Sequence, residues 1–365
     1  MTNYPKQLVI KLSLFIVFFS STAYSQDINS KIDEIMTLAG TPGIQISYRS
    51  ENKEIQINKG VKKYGTEDSI QVNTRFQAAS LTKVIAAYTF FKLMDKGLID
   101  LDKPLLDYYP YDRLKDTKGA EKITARMVLT HRSGLLNWEG NVSTDQWRAS
   151  PLTLQFDPGS DYMYSGEGFY FLQETLEYIS GKSFKDLVEQ EVFEPLNMTK
   201  SNILWNDSLS HNTAFGHYKL DEPRKLGTYR KSNAAYTLYS TATDYMKFIQ
   251  KALINGEGLQ KSTHELMLSH SAEAKKEKQS HPTDKYVPCA LGLRMQLNEQ
   301  GTAYWHTGSN PGFRCFFITY PDTQESLVAF MNSDTAFPAM KQLMKEFLAP
   351  NQTFWAYDWR QAELD

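Results

Sequence analysis

The strand-like patterns of this chain lie near its two ends. "GIQISYRS" (residues 43–50) and "EIQINKGVKKYG" (54–65) alternate apolar and polar residues around the turn-like "ENK". The alternation returns from about residue 287, in "CALGLRMQL", "AYWHTGS", "RCFFITYP" and "ESLVAFMNS", joined by turn residues such as "NPG" and "PDTQ". Between these regions the signals are mostly helical: "ITARMVLTHRSG", "GFYFLQETLEYISG", "SFKDLVEQEVFEPL", "TATDYMKFIQKALING" and "STHELMLSHSAEAKKE", several of them ending on glycine. A short helix, "IDEIMTLAG", precedes the first strand, and "FPAMKQLMKEFLA" follows the last. This order predicts an α+β fold: an antiparallel sheet flanked by helices and built from both termini, with a mostly helical domain inserted. The expected division is a sheet domain from residues 26–75 and 285–350, a helical domain over 76–284, and a C-terminal tail, 351–365.

Residues 1–25 read as a signal peptide. Lys6 and Lys11 precede the apolar run "LSLFIVFF", and Ala23 and Ser25 stand where a signal peptidase reads small residues. The run is short for a membrane span, and no cysteine near the cut offers a lipid anchor. The expectation is a secreted or periplasmic protein with no stable membrane anchor after cleavage. Cleavage removes two lysines and no acid, so the formal charge moves from −2 to −4. No basic patch points to nucleic acid. With 365 residues the chain is long enough for a sizeable core. Its two cysteines, Cys289 and Cys315, are compatible either with a disulfide in an exported chain or with two buried thiols in strands.

The segment "FQAASLTKVIAAYTFF" (76–91) concentrates the chemistry. Ser80, Lys83, Ala87, Phe90 and Met94 follow one helical face, and most other positions are apolar, so the helix is expected to be buried nearly all round. A lysine there must be paired or lose its proton easily. A serine hydroxyl becomes a nucleophile when a base removes its proton, and Lys83 lies one turn along the same face. An isolated S-x-x-K is otherwise only an N-cap serine followed by a surface lysine.

Two further segments give the pair a context. "YMYSGEGF" sets Tyr164 and Ser165 before another helix, and "WHTGSNPGF" sets His306, Thr307 and Gly308 at a strand end. Serine plus lysine, then Tyr-Ser, then a basic or polar residue with Thr-Gly is the motif order of penicillin-recognising serine enzymes. The chain resembles class C β-lactamases, D-alanyl-D-alanine carboxypeptidases and related serine esterases and peptidases over roughly residues 30–350. "ITARMVLTHRSGLLNW", "FEPLNM", "STATDYMKF" and "NPGFRCFFITYPD" share that style.

The resemblance implies a β-lactamase/transpeptidase-like fold and a serine hydrolase that forms an acyl-enzyme on Ser80. Lys83 and Tyr164 would handle the proton, with Tyr164 acting on the leaving group and later on water. The N–H groups of Ser80 and Ser309 would form the oxyanion hole, flanked by His306, Thr307 and Gly308. No cofactor and no metal is implied, and His211, His217, His264, His270 and His281 show no ligand spacing. The expected partner is a small-molecule or peptide substrate; the oligomeric state is left open.

Two departures bear on the substrate. Gly166 stands where the family's β-lactamases and peptidases usually carry an asparagine that holds the lysine and the substrate's acylamide. Its absence removes a contact worth on the order of 1–2 kcal/mol. His306 replaces a lysine that would face a substrate carboxylate as a permanent cation. Both tilt the expectation towards an esterase or a D-amino-acid peptidase with little demand for a carboxylate. The alternatives are a β-lactamase and a catalytically weak penicillin-binding or sensing protein. Arg314 offers either a replacement carboxylate anchor or a turn arginine facing solvent. His131 is expected to hydrogen-bond backbone under the site, "AEAKKEKQ" (272–279) to be a solvated charged segment, and "FWAYDW" (354–359) either to pack on the body or to serve a partner.

Overall fold

The computed structural model describes residues 27–142, 144–274 and 280–362. The leader expected at 1–25 and most of the charged segment 272–279 lie outside them. Helix α1, residues 27–39, buries Ile28, Ile32, Ile35 and Ala39, the spacing of a single helical face.

Six strands form one antiparallel sheet: β1 (Gly43–Ser50) and β2 (Lys53–Gly60) from the N-terminal side, and, after a separate short strand β3 (Phe76–Gln77) and its partner β4 (Tyr239–Ser240), β5 (Arg294–Asn298), β6 (Gly301–Asn310), β7 (Phe313–Tyr320) and β8 (Glu325–Met331). Their order is β2-β1-β8-β7-β6-β5, so the N-terminal hairpin joins the C-terminal strands through β1 and β8, with Ile46 opposite Ala329. The antiparallel sheet flanked by helices that the sequence predicts is therefore present. β2 stops at Gly60, five residues before the end of its alternating pattern. Gly60 takes φ +81°, and a Cβ there would stand 2.0 Å from the Pro42 carbonyl oxygen, so the chain turns away.

Both faces of the sheet are covered, as the burial of every residue of β8 shows. Leu327, Ala329 and Met331 face one core together with α1 and two C-terminal helices. Val328 and Phe330 face the other, larger core, which holds the nucleophile helix. That alternation is the period of two expected of strands.

Helix α2 (Thr82–Asp95) buries eleven residues of its length, including Lys83, Val84, Ile85, Phe90 and Phe91. It begins two residues later than the pattern suggested, because Ala79–Leu81 forms a tighter 3₁₀ turn first. Helices α3 (Ala125–Leu129) and α4 (Asp145–Ala149) are short, and α5 (Gly166–Ser180) is long. Next, α6 (Phe184–Val188) runs through a wider π turn into α7 (Glu194–Leu196); α8 (Ala242–Phe248) and α9 (Lys261–Leu268) complete this part. α10 (Ala339–Phe347) and α11 (Trp355–Ala362) close the chain. The aromatic tail packs on the body: Ala356 and Trp359 are buried in the core beside α1 and α10. Cys289 and Cys315 are both buried and no disulfide joins them, which decides between the two readings of the pair.

Candidate active site

Ser80 sits in the tight turn that leads into α2, and that turn is held from three sides. Ala79 adopts φ +50°, a left-handed conformation that costs a residue with a Cβ roughly 1–2 kcal/mol. The Cys315 thiol donates to the Ala78 carbonyl (3.0 Å), and the Tyr245 hydroxyl donates to the Leu81 carbonyl (3.1 Å). Thr82 Oγ1 donates to the Ala79 carbonyl (2.6 Å) and accepts from Leu238 N–H (3.1 Å). Strand β6 presses on the same turn through Gly308. A Cβ there would lie 2.3 Å from Cys315 Sγ, 2.5 Å from the Ala78 oxygen and 3.2 Å from Ala79 Cβ. Only glycine lets the strand approach the turn so closely.

Lys83 Nζ stands 3.3 Å from Ser80 Oγ and donates to the Ala235 carbonyl at 3.0 Å. The side chain is 1% exposed, and no carboxylate pairs with it among the described residues. Its ammonium would lie 4.7 Å from the Tyr164 ring and 5.6 Å from that of Phe169. Burial pushes the Lys83 pKa down, with the interactions with Tyr164 opposing the shift. The arrangement can take a proton from the serine.

Tyr164 precedes α5, and its place follows from the cap of that helix. Ser165 Oγ accepts from Gly168 N–H (2.9 Å) and donates to the Leu136 carbonyl (2.9 Å), while Ser165 N–H donates to His131 Nδ1 (3.1 Å). His131 lies beneath, its ring 4.4 Å from that of Tyr164, in a strained backbone conformation at φ +58°. Burial first, then Arg294, Lys83 and His306, hold its pKa well below 6.5, consistent with a ring nitrogen that accepts a hydrogen bond.

His306, Thr307, Gly308 and Ser309 occupy the end of β6 beside Ser80. His306 is buried, and its Nδ1 lies 2.6 Å from the Thr307 carbonyl, so Nδ1 carries the proton and Nε2 is bare. Burial, Lys83 and Arg294 push its pKa down to about 3. Its ring lies 6.2 Å from that of Tyr164. Next along, Asn310 Nδ2 donates to Gln77 Oε1 and the Tyr229 hydroxyl, both at 3.0 Å, tying the strand end to the neighbouring wall.

The missing side chain at Gly166 has a structural reason. A Cβ there would stand 2.4 Å from Cζ2 of Trp138 and 2.8 Å from the Asn137 carbonyl oxygen. That same oxygen accepts from Gly166 N–H (3.2 Å) and Glu167 N–H (3.1 Å). Both expectations for Arg314 need correction. Its Nη1 is bound to Asp334 Oδ1 (2.9 Å) and to the carbonyls of Asn310 and Phe313, so it neither faces Ser80 nor hangs in solvent.

Two cavities meet at Ser80. The larger, about 660 Å³, runs past Lys83, Ala235, Trp138, Tyr229 and Tyr236. The smaller, about 350 Å³, runs past Tyr164, His306, Thr307, Arg294 and Arg360. Ser80, Asn137 and Ser309 line both. The structure thus gathers every residue the motifs singled out and adds Asn137, Trp138, Ala235, Arg294 and Arg360. Asn137 and Trp138 are the last two residues of the segment "ITARMVLTHRSGLLNW" and so were within reach of that motif; nothing in the sequence marked the two arginines.

Comparison with known proteins identifies the family and the fold. The model of the Beta-lactamase family matches residues 28–349. The chain is 25% identical over 251 residues to penicillin-binding protein 4 of Amycolatopsis lactamdurans, covering 62% of this chain and 63% of that protein. It is 27% identical over 178 residues to the D-alanyl-D-alanine-carboxypeptidase/endopeptidase AmpH of Escherichia coli (strain K12), covering 46% of each. The matched stretches therefore span less than two thirds of either relative. A solved class C beta-lactamase superposes with a TM-score of 0.73 at 19% identity, over 89% of this chain and 96% of that one.

Proposed function

The chain belongs to the Beta-lactamase family, a family with serine hydrolase members, and on that footing we propose that it is an exported hydrolase that cleaves esters or amides through an acyl-enzyme on Ser80. One observation carries the reading: a buried lysine with no carboxylate partner among the described residues, its Nζ 3.3 Å from a serine Oγ at the meeting point of two cavities. In the proposed sequence, neutral Lys83 takes the Ser80 proton as Oγ attacks the substrate carbonyl. The N–H groups of Ser80 and Ser309 receive the oxyanion. The C–O or C–N bond then breaks as Tyr164 protonates the leaving group, and the proton on Lys83 restores the phenol. Water repeats the sequence on the acyl-serine and frees the acid. Neutral His306 lends the site a hydrogen-bond acceptor and no charge.

Substrates are small molecules or peptides, and the larger cavity is roomy enough for an acyl group of drug-like size. Export rests on the leader pattern of residues 1–25. Turnover of a nitrophenyl ester or a D-amino-acid peptide, lost in Lys83→Ala, is the expected result; turnover that survives this change refutes Lys83 as the base. A β-lactamase is the weaker reading, because Trp138 fills the place of the asparagine that holds an acylamide. Efficient hydrolysis of a chromogenic cephalosporin would reverse that order.

A further inference from the structure

We propose that Arg360, on the C-terminal helix α11, is a specificity-determining residue whose side chain acts as a partition and restricts the leaving group to a short alcohol or amine. The proposal rests on acyl transfer at Ser80 and adds a size limit on one half of the substrate.

Position relative to the reacting atoms identifies that half. Tyr164, the proposed proton donor to the leaving group, lines the smaller cavity of about 350 Å³; Lys83 and Ala235 line the larger. A substrate lying across Ser80 therefore sends its departing half into the smaller space. Arg360 lines that space together with Ser80, so a group leaving the serine on this side meets α11. A third space, about 120 Å³, adjoins it and is walled by the apolar side chains of Phe316, Phe337 and Met340. The two spaces share Thr307 and Ser309 on β6 and Arg360 on α11. Arg360 is the one long side chain of the three, and it stands between them. Shortening it joins the two spaces and opens the leaving-group side towards an apolar recess.

A side chain limits size only if the helix that carries it cannot swing away, and α11 is fixed from three directions. Towards β5, Ala356 N–H donates to Gln296 Oε1 (2.8 Å). Towards the segment before β5, Trp359 is buried with its indole N–H on Asp284 (2.8 Å), and the Trp355 ring stacks on Tyr286 with centroids 4.3 Å apart and planes at 9°. Towards α10, Asp358 pairs with Lys341 (2.9 Å), and Tyr357 stacks on Phe337 just before that helix, at 5.0 Å and 13°. Phe337, a wall of the third space, is thus anchored by the helix that carries the partition. A close-packed wall of this kind does not give way to an oversized group without strain. The family match ends at residue 349 and α11 begins at Trp355, so the size limit comes from the tail of this chain and not from the part the family model covers.

The test compares kcat/KM of the full chain on ethyl acetate and cyclohexylmethyl acetate, whose alcohols differ far more in bulk than in leaving ability. The wild type is expected to favour the ethyl ester at least about tenfold. Arg360→Ala should shrink that preference to about twofold by raising kcat/KM for the bulky ester, a gain that damage to the fold cannot produce. Arg360→Gln, of intermediate length, should fall between the two. Arg360→Met, which keeps the length and drops the charge, should retain the wild-type preference. Equal turnover of the two esters by the wild type, a preference unchanged in Arg360→Ala, or one lost as fully in Arg360→Met as in Arg360→Ala would each overturn the proposal. Turnover of neither ester would overturn it as well, and labelling of Ser80 by a fluorophosphonate in the same preparation separates that result from failure of the acyl-enzyme reading.

Discussion

The ring of Trp138 occupies the space a side chain at Gly166 would need: a Cβ on Gly166 would stand 2.4 Å from Cζ2 and 2.5 Å from Cη2. The two residues come from separate segments, yet each requires the other. Gly166→Asn, which would insert the carboxamide the family usually carries there, should therefore destabilise the fold by about 1–3 kcal/mol through overpacking. Adding Trp138→Ala should recover part of the loss, so the double mutant will be more stable than the sum of the two singles. Denaturant unfolding of all four proteins measures this, and additive effects would contradict it.

Gly308 is the second position where a missing Cβ matters. Gly308→Ala would drive a methyl against Cys315 Sγ and the Ala78 carbonyl, pushing β6 from the turn that carries Ser80. Activity should fall at least about tenfold, because a displacement of about 1 Å at a reacting centre is enough for that. The comparison is kcat/KM on a nitrophenyl ester; near wild-type activity would mean that the strand can shift without disturbing the serine.

Glu167 is fully buried and holds the wall of the larger cavity. It pairs with Arg113 Nη1 (2.8 Å) and accepts from Trp147 Nε1 (2.7 Å) and Glu139 N–H (2.9 Å). Glu167→Ala leaves the Arg113 charge buried without its partner, and removal of one member of such a pair costs about 3–5 kcal/mol. Urea unfolding checks the figure. A loss below about 1 kcal/mol would show that water or a rearranged loop replaces the carboxylate.

The buried histidines set a pH dependence of stability. His306 is held near a pKa of about 3 in the fold, whereas an unfolded histidine protonates near 6.5. Between those values the unfolded chain binds the extra proton, so stability rises with pH. It is complete above 6.5 and falls by up to about 1.4 kcal/mol per unit as the pH drops towards 3, with His131 adding in the same direction. His306→Asn should flatten that slope between pH 4 and about 6.5 in thermal unfolding. For activity the sign is set by Lys83. Its neutral form is the base, so rate should rise with pH through a value below 10.5, with no step near 6.5 from His306. An unaltered stability slope in His306→Asn would contradict the neutral assignment.

Much of this arrangement was legible in the sequence because it is local or periodic. Ser80 and Lys83 share a helical face by spacing alone, and the two-residue alternation of β6–β8 marked the strands that carry His306 and Thr307. The length of β2 was overread because periodicity does not show that Gly60 must turn beside Pro42. Arg314 was misread because its partner, Asp334, lies beyond β8 and reaches it only through sheet pairing. Arg294 and Arg360 are close only because α11 folds back on β5, a contact between segments that no local pattern encodes. Gly166 was visible as a departure, but its cause, the ring of Trp138, appears only in three dimensions.

Mass spectrometry of the chain after exposure to a fluorophosphonate tests the central claim most directly. The account predicts a single adduct on the peptide that carries Ser80, absent from Ser80→Ala and formed much more slowly in Lys83→Ala, where the neighbouring base is gone. An adduct that persists in Ser80→Ala, or that maps to another residue, would contradict it.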